Sequence, residues 1–175
     1  MNDNKFDEII FDLKKQNKKF CDNRKNDLKK HVSGQNPRIT VLTCSDSRVV
    51  PEYIFNKDIG EIFVVRIAGN IAMDDSVITS LEYAVDHLKT SVLIILGHTN
   101  CGAIAASEDI SNKGVLFDEI RNSFKDDKNH VLDNLNYQLE MLPKRSKIIS
   151  DKINNKELNL IGAIYNLSDG KVEFL

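Results

Sequence analysis

Several residue types are scarce in this sequence of 175 residues, and each scarcity excludes a class of protein. Tryptophan is absent and aromatic residues make up 7% of the chain, so we expect no aromatic platform that stacks single-stranded nucleic acid. No run approaches the roughly 20 apolar residues that span a bilayer. The net charge is −2, which gives no overall positive field to attract nucleic acid or anionic lipid. We therefore expect neither nucleic acid nor a membrane as a partner.

Cysteine is also scarce. Cys21, Cys44 and Cys101 make an odd number, which argues against a disulfide framework and leaves metal binding or free thiols as their roles. The opening MNDNKFDEII lacks the charged-then-apolar layout of a secretion signal. These features predict a cytoplasmic protein, and the length fits one domain over 1–175.

The hydrophobic pattern predicts an α/β fold with an N-terminal helical arm. In the arm, 1–36, Phe6, Ile9 and Leu13 share one helical stripe, which indicates one or two amphipathic helices. In the core, 37–175, strands are predicted at 39–42, 62–68, 92–96 and 158–167, with helices at 74–88, from near Cys101, and at 131–150. We expect Pro143 to kink or divide the last helix. The path of residues 107–129 stays open.

The predicted strands indicate how the sheet is built. Runs that are apolar on both faces and alternate with helices are typical of a parallel sheet covered on both sides. The turn at 168–170 and the short run 172–175 predict a hairpin with the strand before it. The expected fold is a central, mainly parallel sheet of about four parallel strands plus an antiparallel C-terminal edge strand, flanked by helices.

Two polar clusters follow two of the predicted strands: Cys44-Ser45-Asp46-Ser47-Arg48 and His98-Thr99-Asn100-Cys101-Gly102. The carboxyl ends of parallel strands are where ligands collect, so we expect the clusters to be neighbours. Cys44, His98 and Cys101 supply two thiolates and an imidazole, which suit zinc better than magnesium or calcium. Three ligands leave one position for water, whose pKa falls from about 9 on the aqueous zinc ion to about 7 in the best-known zinc hydrolase site. Two thiolates weaken the Lewis acid, so we expect activity that rises toward alkaline pH.

Each of these residues has an ordinary structural role when it is taken alone. Cys44 and Cys101 could be buried small hydrophobes, and His98 a hydrogen-bonded loop histidine. Their combination at two strand ends favours a metal site. A closed structural site needs a fourth Cys or His, and the sequence has none with suitable local spacing.

The motifs CSDSRVVPE, GEIFVVRIAGN, SVITSLEYAV and GHTNCGAI, in this order, resemble those of beta-class carbonic anhydrases. GAIYNLSDGKVEFL is similar to the last hairpin of that family, and the similarity runs from about Arg38 to Leu175. The resemblance implies reversible hydration of carbon dioxide to bicarbonate and a proton by zinc-bound hydroxide. It also implies Cys44, His98 and Cys101 as the zinc ligands.

The same resemblance implies further site residues. Asp46 and Arg48 correspond to the catalytic dyad, in which the carboxylate orients the nucleophile and the guanidinium holds the carboxylate. In some members the aspartate becomes a fourth metal ligand at lower pH, and whether Asp46 does so stays open. The backbone N–H of Gly102 would bind a bicarbonate oxygen. Phe63 and Tyr83 correspond to the lining of an apolar pocket at a dimer interface, with ordinary core packing as the equal alternative.

The dimer interface implies a homodimer or a larger even-numbered assembly. Two alternative functions remain from the sequence: a hydrolase of carbonyl sulfide or carbon disulfide on the same fold, and a non-catalytic zinc-binding or bicarbonate-binding module. The Asp46–Arg48 pair argues against the second, because a structural site has no use for a group that orients water. His31, His87 and His130 have no motif around them, and we interpret them as surface or packing residues rather than proton shuttles.

Overall fold

The computed structural model describes residues 3–125 and 129–175, and these form two compact units divided between residues 35 and 36. The first unit consists of one long helix, α1 (Asp3–Lys30), so the segment predicted as one or two helices is a single one. Large apolar side chains on α1 are exposed: Phe6, Ile9, Ile10, Phe11, Leu13 and Phe20. Among the described residues, neither α1 nor any other helix combines the length and the apolar character needed to cross a membrane.

The second unit contains five strands and six further α-helices among its described residues. The strands are β1 (Ile39–Thr43), β2 (Ile62–Arg66), β3 (Val92–His98), β4 (Asn159–Tyr165) and β5 (Val172–Phe174). The helices are α2 (Pro51–Ile54), α3 (Asp75–Glu82), α4 (Gly102–Glu108), α5 (Val115–Arg121), α6 (His130–Arg145) and α7 (Lys147–Asn154). A short 3₁₀ turn, Ala68–Asn70, follows β2, and a π-helical turn, Tyr83–His87, extends α3.

The strands form one sheet in the order β2-β1-β3-β4-β5. The first four are parallel to one another, and β5 pairs with β4 in the antiparallel direction. The predicted fold class is therefore confirmed. Strands β1 and β3 are buried on both faces because both faces of the sheet are covered.

Alternate residues of the central strands enter different apolar clusters. Leu42, Leu93 and Ile95 pack with residues of α3, α6 and α7. Val41 and Ile94 pack instead with Val49 and the partly buried Ile54 of α2. This alternation follows from the two-residue period of a strand. The sheet therefore has a large core on the α6 side and a smaller one on the α2 side.

The structure refines several predicted boundaries. Strand β3 continues to His98, which pairs with Tyr165, so this histidine lies inside the strand rather than after it. The predicted helix 131–150 is divided at Ser146, three residues after Pro143, and the Ser146 hydroxyl caps α7 by accepting from the N–H of Ile149. The segment 107–129, which the sequence left open, contains α5, and its residues 126–128 lie outside the described residues.

Candidate metal centre

The three predicted metal ligands come together at the carboxyl ends of β1 and β3. Cys44 directly follows β1, His98 ends β3, and Cys101 directly precedes α4. Because β1 and β3 are parallel neighbours, the two polar clusters meet at one edge. The ligand atoms Cys44 Sγ, Cys101 Sγ and a ring nitrogen of His98 all lie within 4.8 Å of one another, and all three residues are buried. This spacing can hold one metal ion.

The two sulfur atoms lie 3.9 Å apart and interact directly. The two sulfurs share one hydrogen bond, and this hydrogen bond is the main cause that lowers the pKa of Cys44. The backbone N–H groups of Gly69 and Asp46, at 3.3 and 3.4 Å from Cys44 Sγ, lower the pKa of Cys44 further. The same interaction with Cys44, together with burial, raises the pKa of Cys101. In this pair Cys44 is therefore the favoured thiolate, and its sulfur accepts hydrogen bonds from two backbone N–H groups.

His98 presents a free nitrogen lone pair to the sulfurs. Its Nδ1 lies 3.0 Å from the backbone oxygen of Thr99, and because a carbonyl only accepts, Nδ1 carries the proton. Its Nε2 is therefore unprotonated in the neutral ring. Nε2 is fully buried and has no hydrogen-bond partner. Among the described residues, only Nδ2 of Asn70 is likewise a buried side-chain polar atom without a partner. A buried, unpaired nitrogen beside two sulfurs fits a transition-metal cation.

Asp46 and Arg48 form a two-pronged ion pair at the mouth of this cluster. Arg48 Nε donates to Asp46 Oδ1 at 2.9 Å, and Arg48 Nη2 donates to Asp46 Oδ2 at 2.7 Å. The backbone N–H of Arg48 also donates to Asp46 Oδ1. These hydrogen bonds hold the pKa of Asp46 well below its usual range and raise the pKa of Arg48. Asp46 Oδ2 lies 3.9 Å from His98 Nε2, so an ionised carboxylate stands beside the ligand set.

Arg66 is a site residue that the sequence analysis missed. It ends β2, and its guanidinium donates to the backbone oxygens of Asp46 at 2.7 Å and Cys44 at 3.3 Å. A single arginine at the end of the apolar run IFVVR was the one signal for it in the sequence. Its hydrogen bonds tie the loop that carries Cys44 to the neighbouring strand.

Gly69 is a second missed residue. It has a left-handed φ of +71°, and a Cβ built on it would lie 2.7 Å from Cδ1 of Ile120. The left-handed backbone favours glycine, and any larger residue would also force Cδ1 of Ile120 to move. Apolar side chains of Ile71, Ile104 and Ile120 surround Cys44 and Cys101 and keep the cluster away from bulk water.

The remaining predicted site residues occupy two places. Gly102 directly follows Cys101 as the first residue of α4, and it is exposed with open space at its Cα. Phe63 and Tyr83 contact each other with ring centroids 6.1 Å apart. Phe63 pairs with Thr40, which is four residues before Cys44, so this aromatic pair lies about 13 Å along the strand direction from the cluster. Within one chain these two aromatics do not line the metal cluster.

An open α/β sheet with a Cys-His-Cys cluster at the ends of two neighbouring strands defines a class of metal-binding α/β proteins. A family model described as carbonic anhydrase matches residues 39–172, which is most of the chain. A curated relative, carbonic anhydrase 2 of Mycobacterium tuberculosis, is 32% identical over 160 residues that cover 80% of this chain and 75% of that protein. The chain belongs to the carbonic anhydrase family of enzymes, in its beta class.

Solved structures agree with this assignment. The beta-carbonic anhydrase CcaA is 25% identical, has a TM-score of 0.81, and covers 98% of this chain with 92% of its own. A Coccomyxa beta-carbonic anhydrase, solved in complex with acetazolamide, is 26% identical with a TM-score of 0.80, over 95% of this chain and 84% of that one. The recognition of the family from the sequence motifs is confirmed.

Proposed function

We propose that this chain catalyses the zinc-dependent, reversible hydration of carbon dioxide to bicarbonate and a proton. The observation that carries the proposal is the ionised Asp46–Arg48 pair, which stands 3.9 Å from the free nitrogen of His98 in the Cys44–His98–Cys101 cluster. A metal site with only a structural role needs its ligands but gains nothing from a fixed carboxylate beside them. A carboxylate in this place serves a reacting water.

Zinc is the proposed metal, and Cys44, His98 and Cys101 are its proposed ligands. Two sulfurs and an imidazole nitrogen are donors that zinc prefers, whereas magnesium and calcium prefer oxygen. Bound there, zinc supplies a Lewis acid that makes hydroxide available near neutral pH. The Nε2 of His98 has no hydrogen-bond partner to give up, and metal binding would replace the hydrogen bond between Cys44 and Cys101.

We propose that Asp46 accepts a hydrogen bond from the attacking water. Its lowered pKa keeps it ionised throughout the neutral range, so it accepts a hydrogen bond from water and cannot donate one. Arg48 occupies both carboxylate oxygens, and this fixes the direction of the remaining lone pairs. We propose that Arg48 thereby also opposes movement of Asp46 into the metal's fourth position.

The substrate contacts are further proposals. The exposed backbone at Gly102, adjacent to the ligand Cys101, is placed to bind a bicarbonate oxygen. Phe63 and Tyr83 are proposed to line the apolar pocket from a partner subunit, because within one chain they lie away from the cluster and Tyr83 is 44% exposed. A homodimer or a larger even-numbered assembly follows from that proposal. The exposed apolar side chains of α1 support such an assembly.

The cellular setting and domain organisation belong to the same proposal. We infer a cytoplasmic enzyme, and three free cysteines, one of them the exposed Cys21, suit a reducing compartment. We also infer one catalytic domain over 37–175 that carries an N-terminal arm over 1–36.

The decisive experiment is a stopped-flow assay of carbon dioxide hydration across pH, on protein whose zinc content has been measured. The expected result is turnover that scales with zinc content and rises toward alkaline pH. The same preparation is assayed for sulfide release from carbonyl sulfide and carbon disulfide. Absence of hydration by zinc-loaded protein would overturn the proposal, and dominant sulfide release would replace it with a hydrolase on the same fold.

A further inference from the structure

The loop that follows β2 is held at several points by one face of α6. Asn134 Nδ2 donates to the backbone oxygen of Gly69 at 2.8 Å, and Gln138 Oε1 accepts from the backbone N–H of Ala72 at 2.9 Å. Arg145 Nη1 donates to the backbone oxygen of Ala72 at 2.8 Å. The spacings of four and seven residues place these three side chains on the same face of the helix. Helix α6 therefore holds this loop at Gly69 and at Ala72.

Asn134 and Gln138 also bond to each other, with Gln138 Nε2 donating to Asn134 Oδ1 at 3.2 Å. Their orientation is determined from both ends. The N–H of Ala72 only donates, so it must face the oxygen of Gln138. The backbone oxygen of Gly69 only accepts, so it must face the nitrogen of Asn134. Both amides are fully buried, and every hydrogen bond in this chain of groups points in one direction.

This amide chain ends at the residue that touches the metal site. The N–H of Gly69 donates to Cys44 Sγ at 3.3 Å, while the oxygen of the same residue is held by Asn134. Gly69 has a left-handed φ of +71°, and a Cβ at this position would overlap Cδ1 of Ile120. A displacement of the Gly69 oxygen therefore moves the donor away from Cys44.

We propose that Asn134 and Gln138 are positioning residues for the metal centre. By fixing the loop, they hold the Gly69 N–H on Cys44 Sγ and thereby set the orientation of that sulfur as a metal ligand. The inference rests on the proposed metal site and extends it to two buried amide side chains of α6. Partners that orient metal ligands typically contribute about 10- to 100-fold to metal affinity.

The test compares three variants of the full-length chain. Asn134→Leu removes the donor to Gly69 with the same number and branching of side-chain heavy atoms, and Gln138→Met removes the acceptor for Ala72 at nearly constant length. Leu139→Ala is the matched control, because Leu139 lies on α6 but packs against Gly162 of β4. For each we would measure zinc affinity by competition with a chromophoric chelator, and the thiolate-to-metal charge-transfer band after cobalt(II) substitution. Urea unfolding gives the stability of each variant.

We expect Asn134→Leu to weaken zinc binding by about 10- to 100-fold and to shift the charge-transfer band. Gln138→Met should change both in the same direction, and it decides the question if Asn134→Leu does not fold. Leu139→Ala should lose stability yet keep the wild-type affinity and band. The inference is overturned if the two amide variants that fold bind metal like wild type, or if Leu139→Ala shows the same loss.

None of these measurements uses turnover, so they separate this inference from the proposed function. Wild-type protein that binds zinc and cobalt(II) but does not hydrate carbon dioxide would overturn the proposed activity. The positioning role would then be decided by the metal affinities and charge-transfer bands of the variants. Wild-type protein that binds neither metal would overturn both.

Discussion

The guanidinium of Arg48 donates hydrogen bonds to both carboxylate oxygens of Asp46, at 2.9 and 2.7 Å. Only one residue separates the two, so this bidentate ion pair depends on the local turn after β1. Its place beside His98, by contrast, depends on the pairing of β1 with β3.

Replacement of Arg48 tests whether the Asp46–Arg48 ion pair contributes to catalysis. We expect Arg48→Ala to lower carbon dioxide hydration by about 100-fold, because an unheld Asp46 no longer orients the attacking water. Zinc content should stay at the wild-type level, since Arg48 contacts no ligand atom of the cluster. Arg48→Lys should recover little, because an ammonium cannot make the two-pronged contact. Stopped-flow hydration and elemental analysis check this, and unchanged turnover would remove the pair from the mechanism.

Replacement of a cysteine tests the ligand set. Cys101→Ser should lose most of its zinc after dialysis against a chelator, because a serine hydroxyl stays protonated and is a poor zinc ligand. Cys21→Ser is the control, since Cys21 is exposed on α1 and lies outside the cluster. Zinc content is measured by atomic absorption. Full retention of zinc by Cys101→Ser would require a different ligand.

Two glycines with nearly the same left-handed φ separate backbone strain from steric overlap. Gly170 has a φ of +73° and open space where a Cβ would lie. Gly69 has a φ of +71°, and a Cβ there would overlap Ile120. Gly170→Ala should lower the free energy of unfolding by about 1–2 kcal/mol, the cost of the left-handed conformation. Gly69→Ala should cost a further 1–3 kcal/mol or so from overpacking.

The overlap can be tested by removing its second partner. Ile120→Val deletes the Cδ1 atom that lies 2.7 Å from the built Cβ of Gly69. We therefore expect the double variant to be more stable than the sum of the two single changes predicts, with chemical denaturation as the measurement. Simple additivity would show that the contact with Ile120 is not the source of the extra cost.

Asp74 provides a pH-dependent contribution to stability. Its side chain caps α3, and hydrogen bonds from the Ser76 side chain and then from the Val77 N–H lower its pKa. A lowered folded-state pKa means that the contribution is complete above the unfolded value, about 3.9, and is lost as the pH falls through the folded value. Asp74→Ala should cost about 1 kcal/mol at neutral pH and progressively less in acid.

The control for this prediction keeps the cap and removes the charge. Asp74→Asn retains an acceptor for the Val77 N–H, so it should stay close to wild type at neutral pH. Its stability relative to Asp74→Ala should not change with pH. Urea unfolding at neutral pH and near pH 3 gives the comparison, and a constant difference between wild type and Asp74→Ala would contradict the assigned pKa shift.

The sheet was predictable because its signals are local. The buried runs that became β1 and β3 are short, rich in β-branched residues and apolar on both faces, and this pattern is typical of central strands in a parallel sheet. The short return strand β5 was predictable from the turn before it. Strand boundaries were less predictable: β3 runs on to His98 because its pairing with Tyr165 extends the strand beyond its apolar stretch.

The site divides in the same way. The nature of the ligands and the Asp46–Arg48 pair were readable from residue types within two short segments. Arg66, Gly69 and the amides of α6 were not, because each acts through backbone groups or contacts that are 20 or more residues away in sequence. No periodicity or motif encodes which backbone oxygen a buried amide will face.

The sequence by itself determined the strands, the chemistry of the two polar clusters and the family, since all three are written in short stretches of residue type. Only the tertiary structure decided that β1 and β3 lie side by side, which brings two sulfurs and a nitrogen within 4.8 Å. It alone decided that α6 supports Cys44 through Gly69. The physical reason is that a hydrogen bond between distant residues forms after the chain has folded, when the unpaired polar groups left inside must find partners.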